Sequence, residues 1–241
     1  MAESKLPYRR IVLKISGEGF CRRGGWGIDA DELARIAREV RLVTEEAVQV
    51  AIVVGGGNFL RGANAARDTS IPEATAHYMG MLATVMNALA LQEALELLGT
   101  ETRVQSAIAI AACCEPFIRR RCIRHLEKNR VVILAAGTGR PFVTTDTAAA
   151  LAAVEINADV VLKATKVDGV YTADPHKDPD AKFYATLTYH DVIQQGLKVM
   201  DVSAIDLCQT HHVPIVVFDL TIPGIMRRVV KGEVCGTKIT T

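Results

Sequence analysis

The 241-residue chain carries 28 basic and 27 acidic residues, a formal net charge of +1, and so presents no global field that would gather nucleic acid. Although 49% of its residues are hydrophobic, glycines, charges and polar residues break every apolar run well short of the roughly 20 residues a membrane span requires. Six cysteines without a C-x-x-C pair and six histidines without ligand spacing argue for reduced thiols and against a structural metal.

The opening segment, MAESKLPYRR, holds Lys5, Arg9 and Arg10 but no apolar stretch behind them, because the next run breaks at Lys14; no secretory signal is expected, and the cytoplasm is the default location. YRRIVLKIS (8–16) reads as a strand that ends in Gly17-Glu18-Gly19. In DADELARIAREVRLVTEEA (29–47), Leu33, Ile36, Val40, Val43 and Ala47 recur at steps of three and four, which predicts an amphipathic helix capped by Asp29 or Asp31. VQVAIVV (48–54) is a strand running into Gly55-Gly56-Gly57-Asn58. A long Ala/Leu/Met helix over about 74–98 stops at Gly99, a residue suited to a helix C-terminus. RVQSAIAI (103–110), RVVILAA (130–136), DVVLKA (159–164) and VPIVVF (213–218) supply further strands.

Strands alternating with helices predict a parallel sheet, and near-continuous Val/Ile/Leu strands predict burial on both faces. The expected fold is therefore α/β, a three-layer αβα sandwich with a mainly parallel central sheet, and residues 1–241 are expected to form a single domain. KVDGVYTADPHKDPDAKF (166–183) is read as an excursion from the sheet, with Asp168-Gly169 as a tight hairpin turn. FIRRRCIRHLEK (117–128) is locally basic, either a solvated or subunit-contact helix face or a polyanion effector site.

Three glycine clusters, SGEG, GGGN and AGTG, fall at the carboxyl ends of strands, where open α/β sheets bind ligands. Backbone N–H groups at such turns, with a helix start behind them, favour phosphate oxygens. None carries the G-x-x-x-x-G-K-[ST] or G-x-G-x-x-G spacing, so neither a P-loop kinase nor a standard dinucleotide enzyme is expected. Basic residues recur near these ends: Lys14, Arg61, Arg140, Lys163 and Lys166. A lysine inside the apolar IVLKIS costs free energy unless it is paired or faces a ligand, which marks Lys14 for function. Thr138, Thr144 and Thr145 offer donors around a phosphate-sized volume. Asp146 is either the N-cap of the following helix or a carboxylate that holds lysines in place.

These stretches resemble the bacterial UMP kinases of the amino acid kinase family. The resemblance runs from about Tyr8 to Lys238 through LKISGE (13–18), GGGNFLRG (55–62), YMGMLATVMNALA (78–90), GTGRPFVTTD (137–146), LKATKVDGVYTADP (162–175), LKVMD (197–201) and RRVVKGE (227–233). It implies transfer of the γ-phosphoryl group of MgATP to UMP, giving UDP and ADP in pyrimidine nucleotide biosynthesis, with Mg²⁺ brought by ATP. It also implies a homohexamer built from dimers, with feedback inhibition by UTP and no nucleic-acid or membrane partner. Carried over residue by residue, Lys14, Ile15, Ser16 and Gly17 meet the ATP phosphates together with Gly57 and Arg61. Thr165, Tyr171 and Asp174 line the ATP nucleoside end, so that the 166–183 excursion covers that site. Gly56 and the stretch Thr138, Gly139, Arg140, Pro141, Phe142, Val143, Thr144 and Thr145 hold UMP. Lys14, Asp146, Arg61 and Lys163 are the expected catalytic set, and Asp201 is placed near the MgATP end as a further metal contact.

One position departs from the family pattern. Where the family carries an aspartate that accepts hydrogen bonds from the UMP ribose, this chain has His77. Imidazole offers one acceptor where a carboxylate offers several, and it changes charge near neutrality, so weaker and pH-sensitive UMP binding is expected unless neighbouring donors compensate. RRGGWG (22–27) resembles the loop linked to activation by GTP, yet Gln92 and Glu96 stand where GTP-responsive members carry basic residues. The competing readings are a family member that phosphorylates a carboxylate or carbamate, and a non-catalytic nucleotide-binding or oxyanion-storage protein on the same fold.

Overall fold

The computed structural model describes residues 6–60, 70–173, 175 and 177–241. β1 (Arg10–Ile15) and β2 (Gln49–Val54) each bury five of their six residues, and β5 (Val131–Ala135) buries all five, as strands covered on both faces must. They join β3 (Thr102–Ser106), β4 (Glu115–Pro116), β6 (Val160–Thr165), β9 (Thr186–Thr188), β10 (Ile215–Asp219) and β11 (Thr237–Thr240) in one nine-stranded sheet of order β4-β3-β5-β2-β1-β6-β10-β11-β9. The β10–β11 pair is antiparallel and every other pairing is parallel. Two short strands, β7 (Val170–Tyr171) and β8 (Phe183–Tyr184), pair antiparallel outside it.

Helices cover both faces. On one, α1 (Ala30–Thr44) buries Ile36, Val40 and Val43, while α2 (Glu73–Leu97) buries Met81, Val85, Ala88, Leu91 and Leu95 beside α7 (Ile225–Val230). On the other lie α3 (Arg119–Glu127), the alanine-rich α4 (Thr145–Glu155), α5 (Tyr189–Gln194) and α6 (Val202–Thr210). Asp29, not Asp31, caps α1, with its side chain accepting from the backbone N–H groups of Asp31 and Glu32. Gly99, at φ 79°, follows α2, as a C-terminal glycine should. The basic run forms α3, with Cys122 and Leu126 turned inward and Arg124 paired to Glu127 at 3.3 Å.

Two expectations are corrected. The strand read over 103–110 ends at Ser106, whose Oγ accepts from Ile108 N at 3.2 Å and turns the chain out of the ladder. Asp168-Gly169 is not a hairpin turn, because β6 and β7 do not pair and Gly169 lacks the positive φ that a two-residue turn of this kind demands. The antiparallel pairing joins β7 to β8 across the longer 172–182 segment. The six cysteines form no disulfide, and burial pushes the Cys122 and Cys208 thiols up to about 12, so both are inert at neutral pH. No helix among the described residues is long and apolar enough to cross a membrane.

Candidate active site

The sheet order sets β5, β2, β1 and β6 side by side, so the four segments leaving their carboxyl ends meet above one stretch of sheet. In register, Lys14 of β1 lies opposite Lys163 of β6, which aims two ammonium groups along the same face. Like charges so placed repel, and Asp146 in the first turn of α4 resolves the conflict. Its Oδ1 lies 2.6 Å from Lys14 Nζ and its Oδ2 lies 3.0 Å from Lys163 Nζ. Asp146 is free for this because Thr144, not Asp146, caps α4, with its Oγ1 accepting from Asp146 N at 3.1 Å.

Burial disfavours the charged form of Asp146, but Lys14 and Lys163 together outweigh it and hold the carboxyl below its ordinary value. Lys163 is shifted downward, first by burial and also by the nearby Lys14, with Asp146 acting against both. Lys163 Nζ also donates to the Val199 carbonyl. Lys14 is 7% exposed, so its charge belongs to the interior of the site rather than to bulk solvent.

The glycine clusters interlock. A Cβ on Gly17 would stand 2.2 Å from the Gly57 backbone nitrogen, and one on Gly56 would stand 2.6 Å from the Gly80 carbonyl oxygen of α2. Only glycine permits the two loops to touch one another and α2. A reciprocal amide pair fixes them from below: Asn58 Nδ2 donates to Asn87 Oδ1 at 2.9 Å and Asn87 Nδ2 to Asn58 Oδ1 at 2.8 Å, while Asn87 also donates to the Gly55 carbonyl.

Two clefts open among these elements. The larger, about 520 Å³, is lined by Lys163, Thr165, Val170, Tyr171 and the Gln195–Val199 segment. Tyr171 is steadied by an Oη bond to Asp168 at 2.8 Å and an edge contact with Phe183. Thr165 Oγ1 donates to the Val167 carbonyl at 2.6 Å. The smaller cleft, about 130 Å³, is lined by Gly56, Gly57, His77, Thr138, Val143, Thr144 and Thr145, with Gly80, Met81 and Thr84 of α2 as its floor. His77 lies 3.7 Å from Glu73 Oε1, with its ring centroid 5.0 Å from that of Phe142.

Most of the expected site residues therefore converge. Gly139, Arg140 and Pro141 stand outside the wall of the smaller cleft, and exposed Phe142 reaches it only through His77. Asp201 accepts from Thr144 Oγ1 and, at 3.5 Å, from Thr147 Oγ1, which ties α6 to the start of α4. Arg61 and Asp174 lie outside the described residues. Thr84 escaped the sequence reading: its buried Oγ1 accepts from Ala136 N at 2.7 Å and donates to the Met81 carbonyl, fixing the turn that carries Thr138. Gly80 and residues 197–199 fall within the motifs YMGMLATVMNALA and LKVMD, but nothing in the sequence marked them as lining a cleft.

One cleft lined by Lys163, a second lined by a glycine loop and by Thr144 and Thr145 beside Asp146, and two lysines held by that one aspartate define a protein built to handle phosphate-bearing ligands. The chain belongs to the amino acid kinase family, whose members it matches over residues 9–219. A uridylate kinase of Paramagnetospirillum magneticum is 57% identical over 230 residues, 95% of each chain. Among solved structures, UMP kinase from Bacillus anthracis superposes with a TM-score of 0.94 at 38% identity, covering 97% of this chain and 96% of the other. UMP kinase from Ureaplasma parvum gives 0.90 at 35% identity over 97% and 99%.

Proposed function

We propose that the chain is a UMP kinase, transferring the γ-phosphoryl group of MgATP to UMP, with ATP in the larger cleft and UMP in the smaller. The observation that carries this reading is the Lys14–Asp146–Lys163 unit, whose Lys163 lines the larger cleft and whose Asp146 directly follows Thr144 and Thr145 of the smaller. A UMP phosphate oxygen attacks the γ-phosphorus in line, the bond to the β–γ bridging oxygen breaks, and ADP leaves. The second pKa of a phosphate monoester is about 6, so the acceptor is already an anionic nucleophile and needs no strong general base. The barrier is repulsion between two polyanions. Lys14 and Lys163 offset it at fixed positions, and the glycine-loop N–H groups and the start of α4 add donors.

The described residues contain no cluster of three or more acidic, His or Cys groups able to hold a metal alone. That suits Mg²⁺, which takes phosphate oxygens, waters and one or two carboxylates rather than an all-protein cage. Asp201 fits as one such carboxylate, because both of its described hydrogen bonds use Oδ2. When bound, Mg²⁺ neutralises charge on the donor phosphates.

UTP inhibition belongs to the same reading, since the uridine part of UTP suits the UMP cleft. A homo-oligomer is supported by Tyr78, Met79, Leu82 and Met86, which form an exposed apolar stripe along α2. The test is ADP release with UMP, CMP, AMP and N-acetylglutamate as acceptors, on the wild type and on Lys14→Ala. Turnover with UMP alone is expected, with kcat falling about a hundredfold or more in Lys14→Ala and nucleotide Kd values changing far less. A near-normal kcat in that variant would remove Lys14 from the chemistry. Bound molybdate or tungstate without turnover would favour the storage reading.

A further inference from the structure

On the α4 side of the sheet lies a third cavity of about 120 Å³ to which phosphoryl transfer gives no task. Val53, Leu134, Phe117 and Leu151 make its walls apolar, and Gly137 and Thr138 line both it and the UMP cleft. Two polar atoms of its lining residues, Gln105 Oε1 and Thr138 Oγ1, have no hydrogen-bond partner among the described residues.

Gln105 is fully buried, and its amide is held in one orientation. Its Nε2 donates to Glu115 Oε2 at 3.1 Å, and the same carboxylate oxygen meets His125 Nε2 at 3.1 Å. Turning the amide over would set its oxygen against a carboxylate oxygen, so the acceptor is left unmatched beside the cavity. Buried acceptors of this kind are rare, because each forgoes a hydrogen bond that water would have supplied. No lysine or arginine lines the cavity, and its one ionisable lining group is Glu155, which disfavours any phosphate-bearing occupant.

We propose that this cavity is a second ligand site, for a compact, flat, phosphate-free heterocycle whose amino or ring N–H group donates to Gln105 Oε1, with Thr138 Oγ1 as its second partner. The ring lies between the floor made by Val53 and Leu134 and the α4 wall at Leu151. Glu155 adds selectivity for a neutral or protonated amino-heterocycle over an acid.

The test is a titration of methyl-labelled, full-length protein with 2-aminobenzimidazole and, in parallel, 1-methylbenzimidazole, which keeps the ring but has no N–H donor. Saturable shifts of the Leu134 and Leu151 methyls are expected with the first. Binding about three- to tenfold weaker is expected for the second compound and for the first compound on Gln105→Leu. Leu151→Trp fills the space while leaving Gln105 intact, and should abolish the Leu134 shift with the remaining methyl spectrum preserved; it keeps the test decisive if Gln105→Leu does not fold. The proposal is overturned if neither compound moves these methyls, if both bind equally well, or if a crystal soaked with 2-aminobenzimidazole holds only water between Gln105 and Thr138. The readout is binding without turnover, so it stands or falls independently of the UMP kinase reading.

Discussion

Asp146 carries the electrostatics of the site, and its ionisation has a consequence for stability as well as for turnover. Its folded pKa lies below the ordinary 3.8, so its ion pairs stabilise the fold above about pH 4, and that contribution drains away as pH falls through the lowered folded value. Lys163 works the other way: its lowered pKa means that holding it charged costs stability at neutral pH, a cost relieved as pH rises through its folded value toward 10.5. Urea midpoints measured from about pH 6 to pH 3 should therefore fall more steeply for the wild type than for Asp146→Asn. Parallel curves would mean that the carboxylate does not depend on its lysines. At the smaller cleft, His77 stands against Phe142 and Glu73, where, on the proposed placement of UMP, a carboxylate would offer more acceptors to the ribose. His77→Asp should lower the KM for UMP severalfold with kcat little changed, and steady-state kinetics with an unchanged or higher KM would show that neighbouring donors already compensate. Lys14 was legible from the sequence because a lysine interrupts an apolar strand. Its grouping with Lys163 came only through the family resemblance, because register between strands 149 positions apart leaves no local signal.

At the scale of elements, the βα turns do more than reverse the chain. The Gly17 turn rests on the Gly55–Gly57 turn at backbone contact distance, so neither can gain a side chain without parting from the other. Gly17→Ala should destabilise the fold by about 1–3 kcal/mol and raise the KM for ATP, as read by urea denaturation and initial rates. A fully stable variant with normal ATP affinity would show that the loops part at no cost. Strand identities were readable from short apolar runs, α1 from its 3.6 periodicity and α2 from its Ala/Leu/Met composition, and both helices fall within a few residues of their expected bounds. The strands β9 and β11 at one end of the sheet were not read, because three- and four-residue segments rich in threonine lack an apolar run. Thr84 and Gly80 stayed hidden for a related reason: in an Ala/Leu/Met helix, a small residue looks like spacing until its neighbour across the core is known.

At the scale of the whole molecule, α2 is the long helix that faces two ways. Its inner face packs the core, while Tyr78, Leu82 and Met86, spaced four apart, leave an outer apolar ridge. With Met79 beside them, they suit a second copy of the chain better than water. Leu82→Glu combined with Met86→Glu should lower the mass measured by light scattering after size exclusion, with far-ultraviolet circular dichroism unchanged. An unaltered mass would move the interface elsewhere. Because the cleft proposed for UMP uses the opposite side of the same helix, through Gly80 and Thr84, loss of assembly is also expected to weaken UMP binding.

The amide pair beneath the glycine loops also gives the molecule a built-in optical probe. Asn58 Nδ2 donates to the Gly27 carbonyl at 2.8 Å, and the sole tryptophan, Trp26, 77% exposed, donates from Nε1 to the Phe59 carbonyl at 3.3 Å and meets the Phe59 ring edge-on. Any lifting of the 55–58 turn as a phosphate tail settles must tug on the indole through two bonds. Its emission maximum should move when ATP is added and stay put with adenosine, giving an unlabelled fluorescence trace of nucleotide arrival.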